Sequence, residues 1–164
     1  MLRPGTLAET IAPVDGLVRT RLVGFLDAFY LDPDVASQRA RVEAEPARTG
    51  DARTDAYLGA VGEHLCNRWM LGDPPLWVDD PCRFLHSSWF MGSERMKAFM
   101  LRESPSAFRR RMIFTEAEPL RRIVMPTDGR YWHYEGLRTG MTPREGEIAP
   151  SRTWPGSTLR GERA

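Results

Sequence analysis

An unbroken run of three arginines, Arg109 to Arg111, is the feature of this sequence whose residue types and spacing most directly suggest chemistry. A guanidinium donates two parallel hydrogen bonds to a carboxylate or a phosphate, so the run is suited to an acidic ligand. On a helix, successive residues differ by about 100° in direction, so the three side chains fan across roughly 200°. They cannot all point inward, and we expect at least one to reach solvent or a partner.

Three interpretations of the arginine run remain open from the sequence. The arginines pair with Glu103, Glu116, Glu118 or the acidic N-terminal half; or they bind an acidic partner protein; or they bind nucleic acid. Residues 1–82 carry 8 basic and 13 acidic groups, whereas residues 83–125 carry 9 basic and 4 acidic groups. The net charge of the whole chain is only +1, and a nucleic-acid-binding domain usually carries more positive charge. The sequence therefore favours an acidic protein over nucleic acid as the partner.

Other reactive residues give weaker signals. Cys82 and His86 would be adjacent on a helix, which is a possible nucleophile pair, but their apolar neighbours favour a packed helix. Asp79 and Asp80 have no third carboxylate nearby in sequence, and the Asp80-Pro81 pair is typical of a helix cap. No glycine loop that would hold a phosphate is present. We therefore predict no catalytic, cofactor-binding or metal-binding residue and no cofactor.

Large aromatic residues near the arginine run are candidate interface anchors. Trp89 and Phe90 are adjacent, so on any regular element they point in different directions, and one of them is expected to be exposed. The predicted partner-binding residues are therefore Arg109, Arg110, Arg111, Trp89 and Phe90.

Helical spacing and helix caps recur up to residue 125 and predict an all-α fold: a compact bundle of five to seven short helices with an irregular C-terminal tail. The predicted helices run from about Val14 to Tyr30, from Asp32-Pro33 to about Glu43, from Asp51 or Thr54 to just before Gly72, from Cys82 to Leu85, from Glu94 to Glu103, from Ser104-Pro105 through the arginine run, and from the Thr115–Glu118 capping box. Residues 1–125 are the predicted helical domain. Residues 126–164, rich in Pro and Gly, are the predicted tail, disordered or ordered by a partner.

The composition also indicates a compartment. No apolar run approaches the ~18 residues that span a bilayer, so we expect no membrane partner. The N-terminal residues lack a signal-peptide pattern and the two cysteines make no disulfide framework, which together indicate the cytoplasm.

The stretch from residue 56 to 114 resembles a small bacterial helical family with the pattern EHL…W…P.RFL…WF…ESP.AFRRR.IF. Its members occur alone or behind a helix-turn-helix domain, often beside a nucleotidyltransferase-like protein in what resembles a toxin–antitoxin pair. The resemblance implies a genetic context and no mechanism. The matching residues are Glu63, His64, Leu65, Trp77, Pro81, Arg83, Phe84, Leu85, Trp89, Phe90, Glu103, Ser104, Pro105, Ala107, Phe108, Arg109, Arg110, Arg111, Ile113 and Phe114.

Two function classes follow from these observations. The first is a non-enzymatic interaction module, antitoxin-like or an accessory subunit, that binds an acidic partner protein through its basic C-terminal half. The alternative is a small enzyme whose site is assembled from the arginine run, His86 and Asp79 or Asp80, acting on a phosphorylated or carboxylate substrate. The scarcity of catalytic patterns favours the first.

Overall fold

The computed structural model describes residues 4–11 and 18–140, and the chain divides into two units, Met1–Met125 and Pro126–Ala164. Within the described residues it is mostly helical, which confirms the predicted all-α class. The α-helices are α1 (Val18–Leu31), α2 (Val35–Glu43), α3 (Ala52–Trp69), α4 (Lys97–Glu103), α5 (Ser106–Arg109) and α6 (Gly129–Thr139). Short 3₁₀ helices cover Ala8–Thr10, Leu76–Asp79, Pro81–Arg83 and Glu94–Met96. Two strands of two residues each, β1 (Trp89–Phe90) and β2 (Ile113–Phe114), complete the described structure.

Helix α3 is the centre of the first unit. Its large apolar residues have the spacing of one helical face, but its small residues Gly59, Ala60 and Gly62 are buried as well, so other segments pack on several sides of the helix. Its ends are where the sequence indicated. The Asp51 side chain caps the first turn by accepting from the Thr54 amide at 2.8 Å, and the helix stops at Met70 in the left-handed region.

Aromatic rings join α1 to the end of α3. Phe25, Phe29, Tyr30 and Trp69 form a chain of ring contacts with centroids 5.5 to 5.9 Å apart. The Tyr30 hydroxyl donates to the Leu120 carbonyl at 3.0 Å, which fixes the chain after α5 against α1. Burial raises the pKa of this hydroxyl far above its usual range. The α1–α3 contact is therefore both apolar and anchored by a buried hydrogen bond.

One predicted helix start and one predicted helix end need correction. Helix α2 is capped by Asp34, which accepts from the Ser37 amide at 2.7 Å, whereas the Asp32-Pro33 pair lies just before the helix. Asp32 instead accepts from the Ser37 hydroxyl and from Arg41. The segment that follows Asp80, predicted as a helix from Cys82 to Leu85, is a single 3₁₀ turn that ends at Arg83, since the backbone of Phe84 is extended.

The arginine run and the residues after it also depart from prediction. Helix α5 ends at Arg109, Met112 takes a left-handed φ of 62°, and the chain then enters β2. Residues 115–125 form no helix: behind a Thr115 cap, Pro119 would be the fourth helical residue and has no amide to donate to the Thr115 carbonyl. β2 pairs in parallel with β1, with Trp89 opposite Ile113 and Phe90 opposite Phe114.

The second unit contains a helix where the sequence predicted an irregular tail. Helix α6 begins after Asp128, whose side chain accepts from the Arg130 amide at 3.0 Å, and ends at Gly140 with φ 69°. The Asp128-Gly129 pair is a dipeptide typical of turns, yet here it is a cap with glycine in the first helical position. Residues 141–164, the rest of the predicted tail, lie outside the described residues, as does the predicted helix start at Val14.

Candidate interaction site

Arg111 is fully buried, so it offers nothing to an external partner in this structure. Its guanidinium donates to the Glu63 carboxylate, to the Val78 carbonyl at 2.6 Å and to the Ala107 carbonyl at 2.7 Å. Burial lowers the pKa of Arg111, and Glu63 opposes that shift. Of the three interpretations left open by the sequence, pairing with an acidic residue of the same chain is the one that applies to Arg111.

Arg110 lies at the surface beside its buried neighbour. Its guanidinium forms ion pairs with Glu63, at 3.2 Å from Nε to Oε2, and with Asp79. Glu63 therefore carries two arginines, one buried and one 43% exposed. Both carboxylates belong to the acidic half of the sequence, so much of the charge on Arg110 is already neutralised within the fold.

Arg109 is exposed and is bound to backbone. It donates to the Arg102 carbonyl at 3.0 Å and to the Ser104 carbonyl at 2.8 Å. These carbonyls lie at the C-terminal end of α4, where an arginine satisfies groups that the helix leaves without partners. Arg109 thus holds α4 onto α5 while its charge remains at the surface.

Sequence reasoning missed two further buried arginines. Arg83 is fully buried and pairs with Glu45 at 3.1 Å and Asp55 at 3.8 Å. Arg68 is 1% exposed and pairs with Glu118 at 3.0 Å. Arg68 belongs to α3, and Arg83 and Arg111 pack against that helix, so all three arginines form part of the core. Their position in sequence beside aromatic residues was the available signal, since planar guanidiniums stack on rings.

Gly59 makes room for this arrangement. A Cβ atom built on Gly59 would lie 2.9 Å from the Cβ of Arg83 and 3.0 Å from the Nε of Arg111. The guanidinium of Arg111 also packs on an aromatic ring, with its central carbon 4.7 Å from the ring centre of Phe84. The absence of a side chain on α3 lets two arginines cross the helix, and their charges are compensated by Asp55 and Glu63.

Trp89 and Phe90 lie on opposite faces of the small sheet, and both are half-buried. Trp89 packs toward α3, with its ring centre 6.3 Å from that of Tyr57 and the Arg53 guanidinium 5.4 Å away. Phe90 stacks on Phe114 at 4.8 Å, with the Lys97 amine 5.1 Å from its ring centre. Each of the two predicted anchors therefore presents a partly exposed ring next to a cation.

The segment from residue 91 to 102 adjoins Phe90 and carries four exposed large apolar side chains. We call it the 91–102 surface. Its large apolar side chains, each 39 to 49% exposed, are Met91, Met96, Phe99 and Leu101. Its cations are Arg95, Lys97 and Arg102, of which Lys97 pairs with Glu94 at 2.8 Å and Arg102 with Glu103 at 3.2 Å.

The residues proposed for an enzyme site, namely the arginine run, His86 and Asp79 or Asp80, are brought together only in part. Asp79 meets Arg110, and Asp80 caps the Cys82 amide at 3.0 Å and pairs with Arg48. Among the described residues no hydrogen bond or ion pair joins His86 to any of them. Cys82 and His86 do not share a helix, because the 3₁₀ turn ends at Arg83, and burial raises the pKa of the Cys82 thiol. In the described part of the chain, no cluster of three or more His, Cys, Asp or Glu could hold a metal ion.

Comparison with known proteins adds no further constraint. No protein-family model, no curated protein and no solved structure matches this chain. Among residues 4–11 and 18–140, no helix has the length and apolar character needed to cross a bilayer.

Proposed function

We propose that this protein is a non-enzymatic interaction module that binds an acidic partner protein. The 91–102 surface carries the proposal, because four large apolar side chains are exposed there beside Arg95, which forms no ion pair among the described residues, and beside the ion-paired Lys97 and Arg102. Apolar side chains on one short segment supply the area that excludes water, and methionine adapts to an irregular partner. The cations select a partner of opposite charge and accelerate its approach.

The arginine run contributes to this function in a different way from its sequence prediction. Arg111 builds the core, and Arg110 is largely neutralised by Glu63 and Asp79. Arg109 keeps its charge exposed next to the end of α4, where it extends the positive character of the 91–102 surface. Trp89 and Phe90 border that surface and remain the proposed aromatic anchors.

We further propose the role that the family resemblance implies: an antitoxin-like or accessory subunit in the bacterial cytoplasm, whose partner is encoded by the adjacent gene. Co-expression with the product of that gene, followed by affinity purification and gel filtration, tests this role. A stable complex that weakens as salt is raised is the expected result, since salt screens exposed charges beyond about 10 Å at 0.1 M. Failure of the two proteins to co-elute at low salt would contradict the assignment of the partner.

A pair of charge reversals tests the surface itself. Arg95 and Arg121 are both exposed, and neither forms an ion pair among the described residues. Arg95→Glu places a negative charge on the 91–102 surface and should weaken the complex at least about tenfold, which corresponds to about 1.4 kcal/mol. Arg121→Glu, a matched change outside that surface, should leave binding nearly unchanged. Equal effects of the two variants would show that only net charge matters.

A further inference from the structure

The outer edge of β1 has unused backbone groups. The Trp89 amide donates to the Met112 carbonyl at 2.8 Å, and the Met91 amide donates to the Phe114 carbonyl at 2.9 Å. Because successive residues of a strand direct their amide and carbonyl groups to opposite sides, those of Phe90 point away from β2. No described residue forms a hydrogen bond with them. β1 is therefore an edge strand whose free side is open.

Nothing in the local sequence blocks this edge. Ser88 is exposed and Phe90 is half-buried, and their spacing of two directs their backbone groups to the same free edge. Proteins usually protect such edges with proline or with charged residues. Residues 86–93, HSSWFMGS, contain no Pro, Lys, Arg, Asp or Glu. The segment has the composition of a strand that can accept another.

Cations flank both faces of this edge. Arg53 lies over the ring of Trp89 on the α3 side, and Lys97 lies over the ring of Phe90 on the α4 side. Successive side chains of an added strand would alternate between these two faces, so carboxylates at two adjacent positions would each meet a cation. Glu94 pairs with Lys97 but is 81% exposed, and a partner carboxylate can replace it. A second copy of β1 offers no acidic residue for this purpose.

We propose that an extended acidic segment of the partner protein adds to the free edge of β1 as a third strand. This inference rests on the proposed function and specifies how the partner is held. Main-chain hydrogen bonds to Ser88 and Phe90 supply the affinity, and the two cations on opposite faces select carboxylates at adjacent positions of the added strand. The exposed apolar residues of the 91–102 surface lie next in the chain and contact the residues that follow the added strand.

Short synthetic peptides in which two adjacent Glu residues are flanked by Val on both sides are the direct probe. Binding to the full chain is measured by fluorescence anisotropy at low salt, and amide hydrogen exchange is followed in the free and bound protein. Slower exchange of the Phe90 amide is expected, because the added strand covers it. The same peptide N-methylated at alternate residues cannot make those hydrogen bonds and should not protect the amide. Failure of the unmodified peptide to bind at about 1 mM overturns the proposal.

A backbone variant with a matched control separates strand addition from simple charge attraction. Ser88→Pro removes an amide that makes no hydrogen bond with any described residue, so the fold should survive, as circular dichroism would show. Peptide binding should fall about tenfold, whereas Ser88→Ala, which keeps the amide, should bind normally. Normal binding by folded Ser88→Pro overturns strand addition. A loss of partner binding in Arg95→Glu would still support the proposed function.

Two other occupants of the edge are tested in the same experiments. Sedimentation of the protein alone shows whether a dimer forms and whether Phe90 becomes protected as concentration rises. Vesicles containing phosphatidylserine show whether the cations and apolar side chains bind a membrane surface. Protection of the Phe90 amide by self-association would identify a second copy of the chain as the occupant of the edge. Tight vesicle binding without peptide binding would identify a membrane surface. Either result would overturn the proposal.

Discussion

Arg111 and Glu63 form an ion pair in the interior of the first unit, with the arginine fully buried and the carboxylate 9% exposed. Taking both charges out of water is costly, and further hydrogen bonds offset part of that cost, although the buried Nε of Arg111 has no partner among the described residues. Here Arg111 also donates to two backbone carbonyls, and Glu63 accepts from Arg110 as well. The pair therefore joins α3, α5 and the 3₁₀ turn at Leu76–Asp79.

The two partners of this pair should respond unequally to mutation. Glu63→Leu leaves the buried Arg111 without a carboxylate, so we expect a loss of about 3–5 kcal/mol in the free energy of unfolding. Arg111→Met should cost less, because Glu63 keeps its ion pair with Arg110. Urea unfolding of both variants and of the double variant gives the coupling energy. Arg110→Met, at the surface, should cost no more than about 1 kcal/mol and serves as the control.

Gly59→Ala should destabilise the protein although alanine normally favours a helix. The added Cβ would lie 2.9 Å from the Cβ of Arg83, which is held in place by its own ion pairs. We expect a loss of about 1–3 kcal/mol, as for other insertions into packed cores. Asn67→Ala, at an exposed position of the same helix, should slightly stabilise it. Unaltered stability of Gly59→Ala in thermal unfolding would show that the arginines can move aside.

Burial of His64 should make the fold sensitive to acid. Burial lowers the pKa of His64 from 6.5 to about 3, and the nearby Arg68 charge acts in the same direction. The folded state keeps His64 neutral while the unfolded chain protonates it, so stability is lost as pH falls from about 6.5 toward 3. The expected slope approaches 1.4 kcal/mol per pH unit, roughly the full effect of one proton.

Urea unfolding at pH values between 6.5 and 5 isolates this effect, because most carboxylates remain ionised there. His64→Gln cannot take up the proton, and its stability should vary much less over that interval. His86, which is exposed, provides the matched control, since His86→Gln should retain the slope of the original protein. The same steep slope in His64→Gln would assign the acid sensitivity to another group.

Met112 is held in a strained backbone conformation that glycine would relieve. Its φ of 62° is left-handed, which costs a non-glycine residue roughly 1–2 kcal/mol. Met112→Gly should therefore stabilise the protein by about 1 kcal/mol or leave it unchanged, because glycine also adds freedom to the unfolded chain. Met112→Val should be clearly destabilising, and thermal unfolding distinguishes the two. Destabilisation by Met112→Gly would mean that its side chain packs more than its 37% exposure suggests.

Local signals in the sequence were sufficient for most helices of the first unit. The apolar spacing of Tyr57 to Trp69 and the cap at Asp51 predicted α3 nearly to the residue, because both act within a few residues of the chain. The Thr115 capping box was wrong for an equally local reason, since Pro119 follows within the same turn. The sequence did not predict α6, because its apolar residues repeat with helical spacing over only a short stretch and Pro and Gly border that stretch on both sides.

The sequence alone determined that three consecutive arginines could not all be buried, and that prediction is confirmed. Only the tertiary structure decided which one is buried, because the choice depends on Glu63, which lies 48 residues away in the chain. The same holds for the open edge of β1. A two-residue strand has no recognisable pattern, and it exists only because packing of α3 and α5 brings Trp89 and Phe90 beside Ile113 and Phe114.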